Sequence, residues 1–525
     1  MTRPGPTPWM SETQVVILML VLSLSRRPAL FTEMQDLLRH SPAECLSILG
    51  IEVPQDISGT ALYHRAYNSY RRLVRLMDPE PGSLYRLLTR EELQTRLAER
   101  DDHECAVRRE RAHQFTNALL RGTWMLLPRK VRREAVGDVA VDATVIKAPA
   151  RGRGRRSMYA SSDPEAGWYR RDGNHDGGTS RAATKYQRRH DDLIWGREVH
   201  TAVTYGAGRP AIVIGASLDV PGKRLAENAL RAVDAATAIA KPGHFVSDRA
   251  YLPGTKPEDL ALPLRSRGFA LVFDYDRSER DLGQQASNGG AILLEGQWYC
   301  PSMPEPLVNA SIDFFLREVS DPRRIESTTY AERLAQRQRY ALHPKQKVDH
   351  EGYSRPACPA VGRFATVSCP RRESAPKVAN KPRALVLTPM LVTTPPKVCE
   401  QKTITFPPSA GAKYEQTYPY RSEKWQEHYT TGRQSVESVN KSLKDGRFVP
   451  VDDPEMRPRR GFIAQLFSIT VMMAATNTRK IIAWLHAQVG VSSISSAPVR
   501  RERRRERTRG WTTQEANAPP LGADL

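Results

Sequence analysis

Apolar residues recur at intervals of three and four over the first 135 positions, which is the spacing of amphipathic helices. Segments such as HRAYNSYRRLVRLM and ECAVRRERAHQFTNALLRGTWMLL show this pattern, with arginines between the apolar positions. The apolar run VVILMLVLSL (Val15–Leu24) is only ten residues long, follows the acidic Glu12 and leads to no small-residue cleavage site. It is too short for a membrane span and lacks the flanks of a signal peptide, so it predicts a buried helix.

From position 137 the pattern changes to short runs rich in β-branched residues, which are typical of strands. A helical pattern separates the third run from the fourth. This order of three strands, a helix and further strands predicts an α/β fold with a mixed sheet. The strand runs are Asp138–Lys147, Arg197–Tyr205, Ala211–Val220, His244–Asp248 and Phe269–Tyr275, and the helical run is Arg224–Ala240.

Composition divides the rest of the chain. Residues 276–415 are rich in proline, lysine and arginine with few periodic runs, which predicts an inserted β or irregular subdomain. A long apolar run over Gly461–Leu485, interrupted by NTRK, predicts a core helix. The end of the chain contains RRERRRERTRG and predicts a basic disordered tail. The predicted domains are therefore 1–135, 136–275, 276–415, 416–490 and 491–525.

The charge balance indicates an anionic partner. The chain carries 79 lysines and arginines against 58 aspartates and glutamates, a formal net charge of +21, and its pI is about 9.8. Nucleic acid is the first choice, because phosphates are neutralised by such charge. Charge alone does not distinguish DNA from RNA, or specific from non-specific binding.

The six cysteines lack the close pairing of a disulfide framework, which favours a cytoplasmic protein. Four of them lie in the insertion near two histidines and raise the question of a zinc site. Zinc ligands usually come in tight pairs, whereas CPAVGRFATVSC separates its two cysteines by ten residues, which favours buried or free thiols. Both interpretations stay open for Cys300, Cys358, Cys369 and Cys399, with His343 and His350 nearby.

Two carboxylates fall on the predicted strands. Asp142 lies in the middle of the apolar run VAVDATV, and a buried carboxylate is costly unless it is paired or binds a metal. The alternative is that Asp142 faces solvent by strand alternation. Asp248 closes the run HFVSD, and the carboxyl end of a strand is where an open α/β sheet places its chemistry. The alternative is an ordinary aspartate that caps the next turn.

A third carboxylate, Glu437, lies in the helical segment TTGRQSVESVNKSLKDGRF. At 3.6 residues per turn it shares one stripe with Arg433, Lys441 and Lys444. Alone, this stripe is typical of a solvated face with i,i+4 ion pairs. With two strand carboxylates it favours metal-dependent phosphodiester chemistry, because Mg²⁺ prefers oxygen ligands and basic side chains beside it can hold phosphates.

In this order, the segments resemble the DDE transposases of bacterial insertion sequences, over roughly residues 137–480. VAVDATVIK is similar to the first-strand motif of that family, WGREVH to the start of the second strand, and VSDRAY to the fourth-strand motif. YTTGRQSVESVNKSLK resembles the Y-x2-R-x3-E-x6-K signature. Arg433, Glu437 and Lys444 have its spacing, whereas three residues rather than two separate Tyr429 from Arg433.

The resemblance implies a ribonuclease-H-like mixed-sheet core, with a helical N-terminal domain and a large insertion between Asp248 and Glu437. It implies that Asp142 bridges two Mg²⁺ ions, that Asp248 and Glu437 each complete one, and that Mn²⁺ can substitute. Water would attack at the element end, and the freed 3′-hydroxyl would then attack target DNA. Tyr429, Arg433 and Lys444 would contact phosphates.

Further expectations concern the DNA partner and the alternative functions. Arg151 and Arg153 follow the first aspartate in the run RGRGRR, so they are expected to contact the DNA backbone, although a solvated loop would have the same composition. The expected partner is double-stranded DNA, bound by a homodimer, in the cytoplasm and at the nucleoid. The N-terminal helices are the candidate for binding element ends. The alternatives are a nuclease on the same fold and a domesticated or catalytically inactive DNA-binding protein.

Overall fold

The computed structural model of the chain describes residues 9–79, 87–154, 156–170, 193–362, 364–369, 384–385, 395–446 and 449–490. The protein is mixed α/β, and its strands pair in both senses. The described residues form two compact units, which are 9–241 with 434–490, and 242–433.

Helices account for most of the N-terminal region, and strands begin at Gly137. In chain order the helices are α1 (Glu12–Leu24), α2 (Phe31–His40), α3 (Ala43–Ile48), α4 (Gly59–Arg75), α5 (Arg90–Ala98), α6 (Asp102–Trp124), α7 (Arg129–Glu134), α8 (Leu225–Thr237), α9 (Ala261–Ser266), α10 (Glu279–Leu282), α11 (Glu305–Val308), α12 (Ala310–Phe315), α13 (Ser327–Arg337), α14 (Lys397–Glu400), α15 (Glu423–Lys444) and α16 (Phe462–Gln488). The strands are β1 (Gly137–Lys147), β2 (Gly167–Arg170), β3 (Leu193–Thr204), β4 (Val213–Asp219), β5 (Pro242–Ser247), β6 (Ala270–Phe273), β7 (Gln284–Asn288), β8 (Ala291–Leu294), β9 (Gln297–Tyr299), β10 (His343–Pro344), β11 (Pro356–Ala357), β12 (Val367–Ser368) and β13 (Ala384–Leu385).

Helix α1 belongs to the core of the first unit. A capping box at Ser11 and Gln14 satisfies the first backbone N–H groups of the helix. Its apolar side chains form one buried cluster with residues of α2, α4 and α16. Helix α16 is buried over its first sixteen residues, as the apolar run predicted. None of the described helices is long and apolar enough to cross a bilayer.

The sheet of the first unit is organised around β3, which pairs antiparallel with β1, β2 and β4. Two asparagines on helices bond to the backbone of β4. Asn117 of α6 accepts from the N–H of Ala216 at 2.8 Å, and Asn477 of α16 accepts from the N–H of Val213 at 2.9 Å. Helix α8 packs closely on β4 at Gly215, where an added Cβ would lie 2.0 Å from a carbonyl oxygen. These contacts hold the strands between helices.

The second unit contains a parallel pair, β5 with β6, and a three-stranded antiparallel sheet of β7, β8 and β9. An apolar cluster packs against the hairpin of β8 and β9 and includes Tyr299, Cys300 and Val367. Beyond residue 340 the described strands of this unit are two residues long, and α14 has four residues. This part therefore has little regular structure.

The strand and helix predictions from 137 to 275 are confirmed, with boundaries that move by at most four residues. Strand β2 was missed, because the sequence there reads as a polar loop. In the predicted insertion, the eleven-residue helix α13 was also missed. The boundary between the compact units falls at residue 241 and again inside α15. The domain boundaries predicted at 135, 275, 415 and 490 stay predictions. The predicted basic tail, 491–525, lies outside the described residues.

A buried histidine gives the first unit a pH-dependent stability. The His113 ring is fully buried, with Nδ1 2.9 Å from the Arg109 carbonyl oxygen and Nε2 3.3 Å from the Leu218 backbone nitrogen. Burial lowers the pKa of His113 well below its ordinary value of 6.5, and the charges of Arg231 and Arg109 lower it further. The folded protein therefore keeps this ring neutral where the unfolded chain would protonate it.

The free energy of unfolding is therefore expected to fall as the pH drops below about 6.5, by about 1.4 kcal/mol per pH unit from this one group. Above that pH its contribution is constant. Denaturant unfolding of the wild type and of His113→Gln between pH 7.5 and pH 5.5 measures the effect, and the variant should show the shallower pH dependence. His40→Gln, which changes an exposed histidine, is the matched control. Equal slopes for wild type and His113→Gln would contradict the expectation.

Candidate active-site residues

Asp142 lies near the middle of β1, opposite Thr201 of β3. The burial of its neighbours Ala140 and Val141 shows that the strand is packed here, while Asp142 itself is half-buried. Its Oδ2 atom accepts a hydrogen bond of 3.1 Å from Nδ2 of Asn440. The half-buried carboxylate therefore has a hydrogen-bond partner on α15.

Glu437 lies on α15, one helical turn before Asn440. Val436, Val439 and Leu443 of this helix are buried, and Glu437 is exposed. Residues three apart on a helix are neighbours on its surface, with Cβ atoms about 5–6 Å apart. The bond from Asn440 to Asp142 therefore brings the helical turn that carries Glu437 to the strand that carries Asp142. Lys444 follows Asn440 by four residues and is also exposed.

In the second unit, Asp248 comes directly after β5, as predicted. Its Oδ1 atom accepts a 3.0 Å hydrogen bond from the backbone N–H of Ala250, which fixes the turn. The next residue, Arg249, donates through Nε and Nη2 to Oδ2 of Asp274 at 3.1 and 2.8 Å. Asp274 follows β6, the parallel neighbour of β5. Two carboxylates therefore follow adjacent parallel strands. Asp274 was not predicted, although FDYD, like HFVSD, places an aspartate directly after an apolar run.

Tyr429 and Arg433 belong to the part of α15 that lies in the second unit. Burial raises the pKa of Tyr429 to about 12, Asp274 and Asp248 add to the rise, and Arg433 and Arg249 oppose it. All four charged groups therefore act on the tyrosine hydroxyl. Its ring stacks on Trp425 with ring centroids 4.6 Å apart. The hydroxyl stays protonated at neutral pH and is available as a neutral donor.

Gly432 explains why α15 comes so close to β5 in this unit. A Cβ atom at Gly432 would lie 2.9–3.0 Å from the side-chain carbons of Val246. Any larger residue would push the helix away from the strand that leads to Asp248. The TTGR segment is therefore positioned by a glycine and not only by the apolar face of the helix.

A second aromatic and imidazole group in this unit was not predicted. The rings of His244 and His428 stack with centroids 3.7 Å apart, and Nε2 of His244 lies 2.8 Å from the hydroxyl of Tyr418. His244 was visible in the strand run, but no local pattern relates it to His428 on α15. Stacking between a side chain of a strand and a side chain of a helix depends on tertiary packing alone.

The segment with Arg151 and Arg153 follows β1. Arg151 is exposed and Arg153 is half-buried, while Arg155 lies outside the described residues. Gly152 lies against Trp168 of β2, since a Cβ there would be 2.5 Å from the indole ring. Trp168 is 48% exposed. An exposed aromatic ring beside arginines is a composition suited to nucleic acid, and Trp168 was also missed.

Comparison with protein-family models, with curated proteins and with solved structures finds no match to this chain.

Proposed function

We propose that the protein is a DNA transposase of the DDE type, which cleaves and joins phosphodiester bonds at the ends of a mobile element. The hydrogen bond from Asn440 to Asp142 supports this most directly, because it relates the Glu437 turn to the Asp142 strand within one unit. In this proposal the core is ribonuclease-H-like. The antiparallel strands β1, β3 and β4, the helix α8 and the parallel pair β5 and β6 have the matching chain order.

The donor chemistry fits Mg²⁺. Asp142, Asp248 and Glu437 offer carboxylate oxygens, which hard divalent cations prefer, and Mn²⁺ accepts the same ligands. In the proposal these three side chains hold two ions. When bound, such ions stabilise charge on the attacking and leaving oxygens of an in-line displacement at phosphorus. Asn440 would orient the Asp142 carboxylate, as outer residues around metal ligands do.

Three side chains of α15 are assigned to phosphate binding. Arg433 and Lys444 are cationic, and charge-assisted hydrogen bonds to phosphate are about twice as strong as neutral ones. Tyr429 contributes a neutral hydroxyl donor, since its pKa of about 12 keeps the proton on the oxygen. In the proposal, Arg151, Arg153 and the exposed Trp168 contact the DNA outside the reacting bond.

The partner in this proposal is double-stranded DNA, both element ends and target, bound by a homodimer in the cytoplasm and at the nucleoid. The N-terminal helices α1–α7 are proposed to bind the element ends. They contain many arginines, among them Arg65, Arg71 and Arg72 on α4.

A cleavage assay tests the function. Labelled DNA that carries the repeats flanking the encoding element is incubated with the protein and Mg²⁺, with an unrelated DNA as control. A transposase is expected to nick at the repeat ends and to produce joined strands. Cleavage without joined products would indicate a nuclease on the same fold. Binding without either reaction, unchanged when the three carboxylates are replaced, would indicate a DNA-binding protein.

The charge of the RGRGRR segment makes a separate prediction. Each arginine that neutralises a phosphate releases counterions, so DNA affinity should fall steeply with salt. The double variant Arg151→Ala/Arg153→Ala is expected to reduce the slope of log Kd against log salt by about one to two. Fluorescence anisotropy of labelled DNA at several salt concentrations measures this slope.

Lys345→Ala is the matched control, because it removes an exposed positive charge in a different segment. Its slope should stay at the wild-type value. If the arginine variant and the control have the same slope, Arg151 and Arg153 belong to a solvated loop.

A further inference from the structure

Four cysteines of the second unit lie on segments that are joined by backbone hydrogen bonds and one apolar cluster. Cys300 directly follows β9 and belongs to the buried apolar cluster at the hairpin of β8 and β9. Cys369 packs against the same cluster. Cys358 is buried and Cys399 is half-buried. The sequence spacing gave no sign of this arrangement.

Two of these cysteines stand at the start of matching turns. In CPSM, the N–H of Met303 donates to the carbonyl of Cys300 at 3.1 Å, and in CPAV, the N–H of Val361 donates to the carbonyl of Cys358 at 3.0 Å. Each turn has proline at its second position, where the fixed φ of proline is favoured. Cys369 also precedes a proline, Pro370, which lies outside the described residues. The same type of turn therefore positions both thiols.

Backbone hydrogen bonds tie the cysteine-bearing segments to one another. The N–H of Cys300 donates to the Tyr340 carbonyl at 2.9 Å. The N–H of Thr366 donates to the carbonyl of Pro359 at 2.9 Å, which joins the segments of Cys358 and Cys369. The segment of Cys399 is joined to the segment of Cys358, since the N–H of Ile404 donates to the Pro356 carbonyl at 3.1 Å.

The segments of Cys300 and Cys358 are joined as well, because His343, three residues after Tyr340, pairs with Ala357, which directly precedes Cys358. Among the described residues, no three of these sulfur atoms lie within 4.8 Å of one another. A shared ion would draw them closer, because zinc–sulfur bonds are about 2.3 Å long.

This part of the unit has a physical need for such a link. The described residues from 341 to 412 contain two-residue strands and one four-residue helix, so few ladder hydrogen bonds hold them. Small regions with little core are commonly stabilised by disulfides or a structural metal. A tetrahedral site of four thiolates is the usual structural zinc site, and its binding free energy adds to folding.

We propose that Cys300, Cys358, Cys369 and Cys399 form a structural zinc site that ties together the segments of the insertion. The nearby His343 is not required as a ligand, because its Nε2 lies 3.2 Å from the hydroxyl of Thr366. Zinc binding at these thiols does not depend on transposase activity, so either proposal can fail without the other.

Metal analysis of the full-length protein tests the proposal. After purification without chelators, inductively coupled plasma mass spectrometry is expected to find one zinc per chain. Cys300→Ser and Cys358→Ser should each lower that content at least fivefold. Cys45→Ser and Cys105→Ser, which change the two cysteines of the first unit, are the matched controls and should keep the zinc.

A second measurement covers the case in which the serine variants do not fold. Wild-type protein stripped of metal and loaded with Co²⁺ should show the visible absorption and the sulfur-to-cobalt charge transfer of a tetrahedral thiolate site. Reaction with a thiol reagent should consume four more thiols after zinc removal than before. A protein without stoichiometric zinc and without the cobalt spectrum would overturn the proposal. Zinc that stays in Cys300→Ser and Cys358→Ser would do the same, since it would be an adventitious ion only.

Discussion

Asp142→Asn is expected to lower single-turnover DNA cleavage about a thousandfold or more, while DNA affinity stays within a few-fold of the wild type. Asparagine keeps the size of the side chain and its contact with Asn440, but it removes the charge that a divalent ion requires from its ligand. Losses of this size are typical when one member of a catalytic set is removed. Asp248→Asn is expected to behave alike. Near wild-type cleavage in Mg²⁺ by either variant would remove that residue from the site.

Glu437→Gln separates the two interpretations of α15. If Glu437 only forms surface ion pairs, its loss costs a few tenths of a kcal/mol in stability and leaves activity unchanged. If it is a metal ligand, cleavage collapses while the melting temperature hardly moves, because the residue is exposed. Glu427→Gln, which changes another exposed glutamate of the same helix, is the matched control. Full activity of Glu437→Gln would show that Glu437 forms surface ion pairs and does not bind a catalytic metal.

The hydrogen bond between Asn440 and Asp142 adds a graded expectation to the same assay. Asn440→Ala removes the orienting donor but no ligand, so a loss of about 10–100-fold is expected. The loss should appear partly as a higher requirement for Mg²⁺, which a purely structural role of Asn440 would not produce. Titration of Mg²⁺ in the cleavage assay measures it.

Glu295→Ala is expected to destabilise the second unit by about 3–5 kcal/mol. Glu295 and Arg337 are 2% and 1% exposed, and Nη1 of Arg337 lies 2.8 Å from Oε2 of Glu295. Truncation leaves the guanidinium charge buried, with the carbonyl groups of Leu307 and Val308 as its remaining partners. Burying an unpaired charge is among the costliest single changes in a protein.

The double variant Glu295→Leu/Arg337→Met removes both charges and should recover most of the lost stability. Glu332→Ala, an exposed glutamate of α13, is the control and should change stability by less than about 0.5 kcal/mol. Scanning calorimetry suits this comparison because two compact units need not unfold together. If Glu295→Ala unfolds like the control, the buried pair does not hold this unit.

Strand and core-helix positions could be predicted because their signal is local. The side chains of β1 alternate between neighbours in the sequence, and the apolar run of α16 is continuous, so each pattern identifies its element without knowledge of the rest. Strand β2 could not be predicted in this way. Its four residues, GWYR, are recognisable as a strand only through pairing with β3 and the contact of Trp168 with Trp195 at 5.3 Å between ring centroids.

The sequence by itself determined the mixed α/β class, the order of its strands and the candidate carboxylates, because periodicity and the cost of burying charge act on single segments. Only the tertiary structure decided which side chains meet. The partner of Asp142 is Asn440, almost three hundred positions away. Asp274 joins Asp248 because β5 and β6 are parallel neighbours, and Cys369 packs against the apolar cluster that contains Cys300. Contacts over such separations depend on how elements pack, and no local period of a chain records that packing.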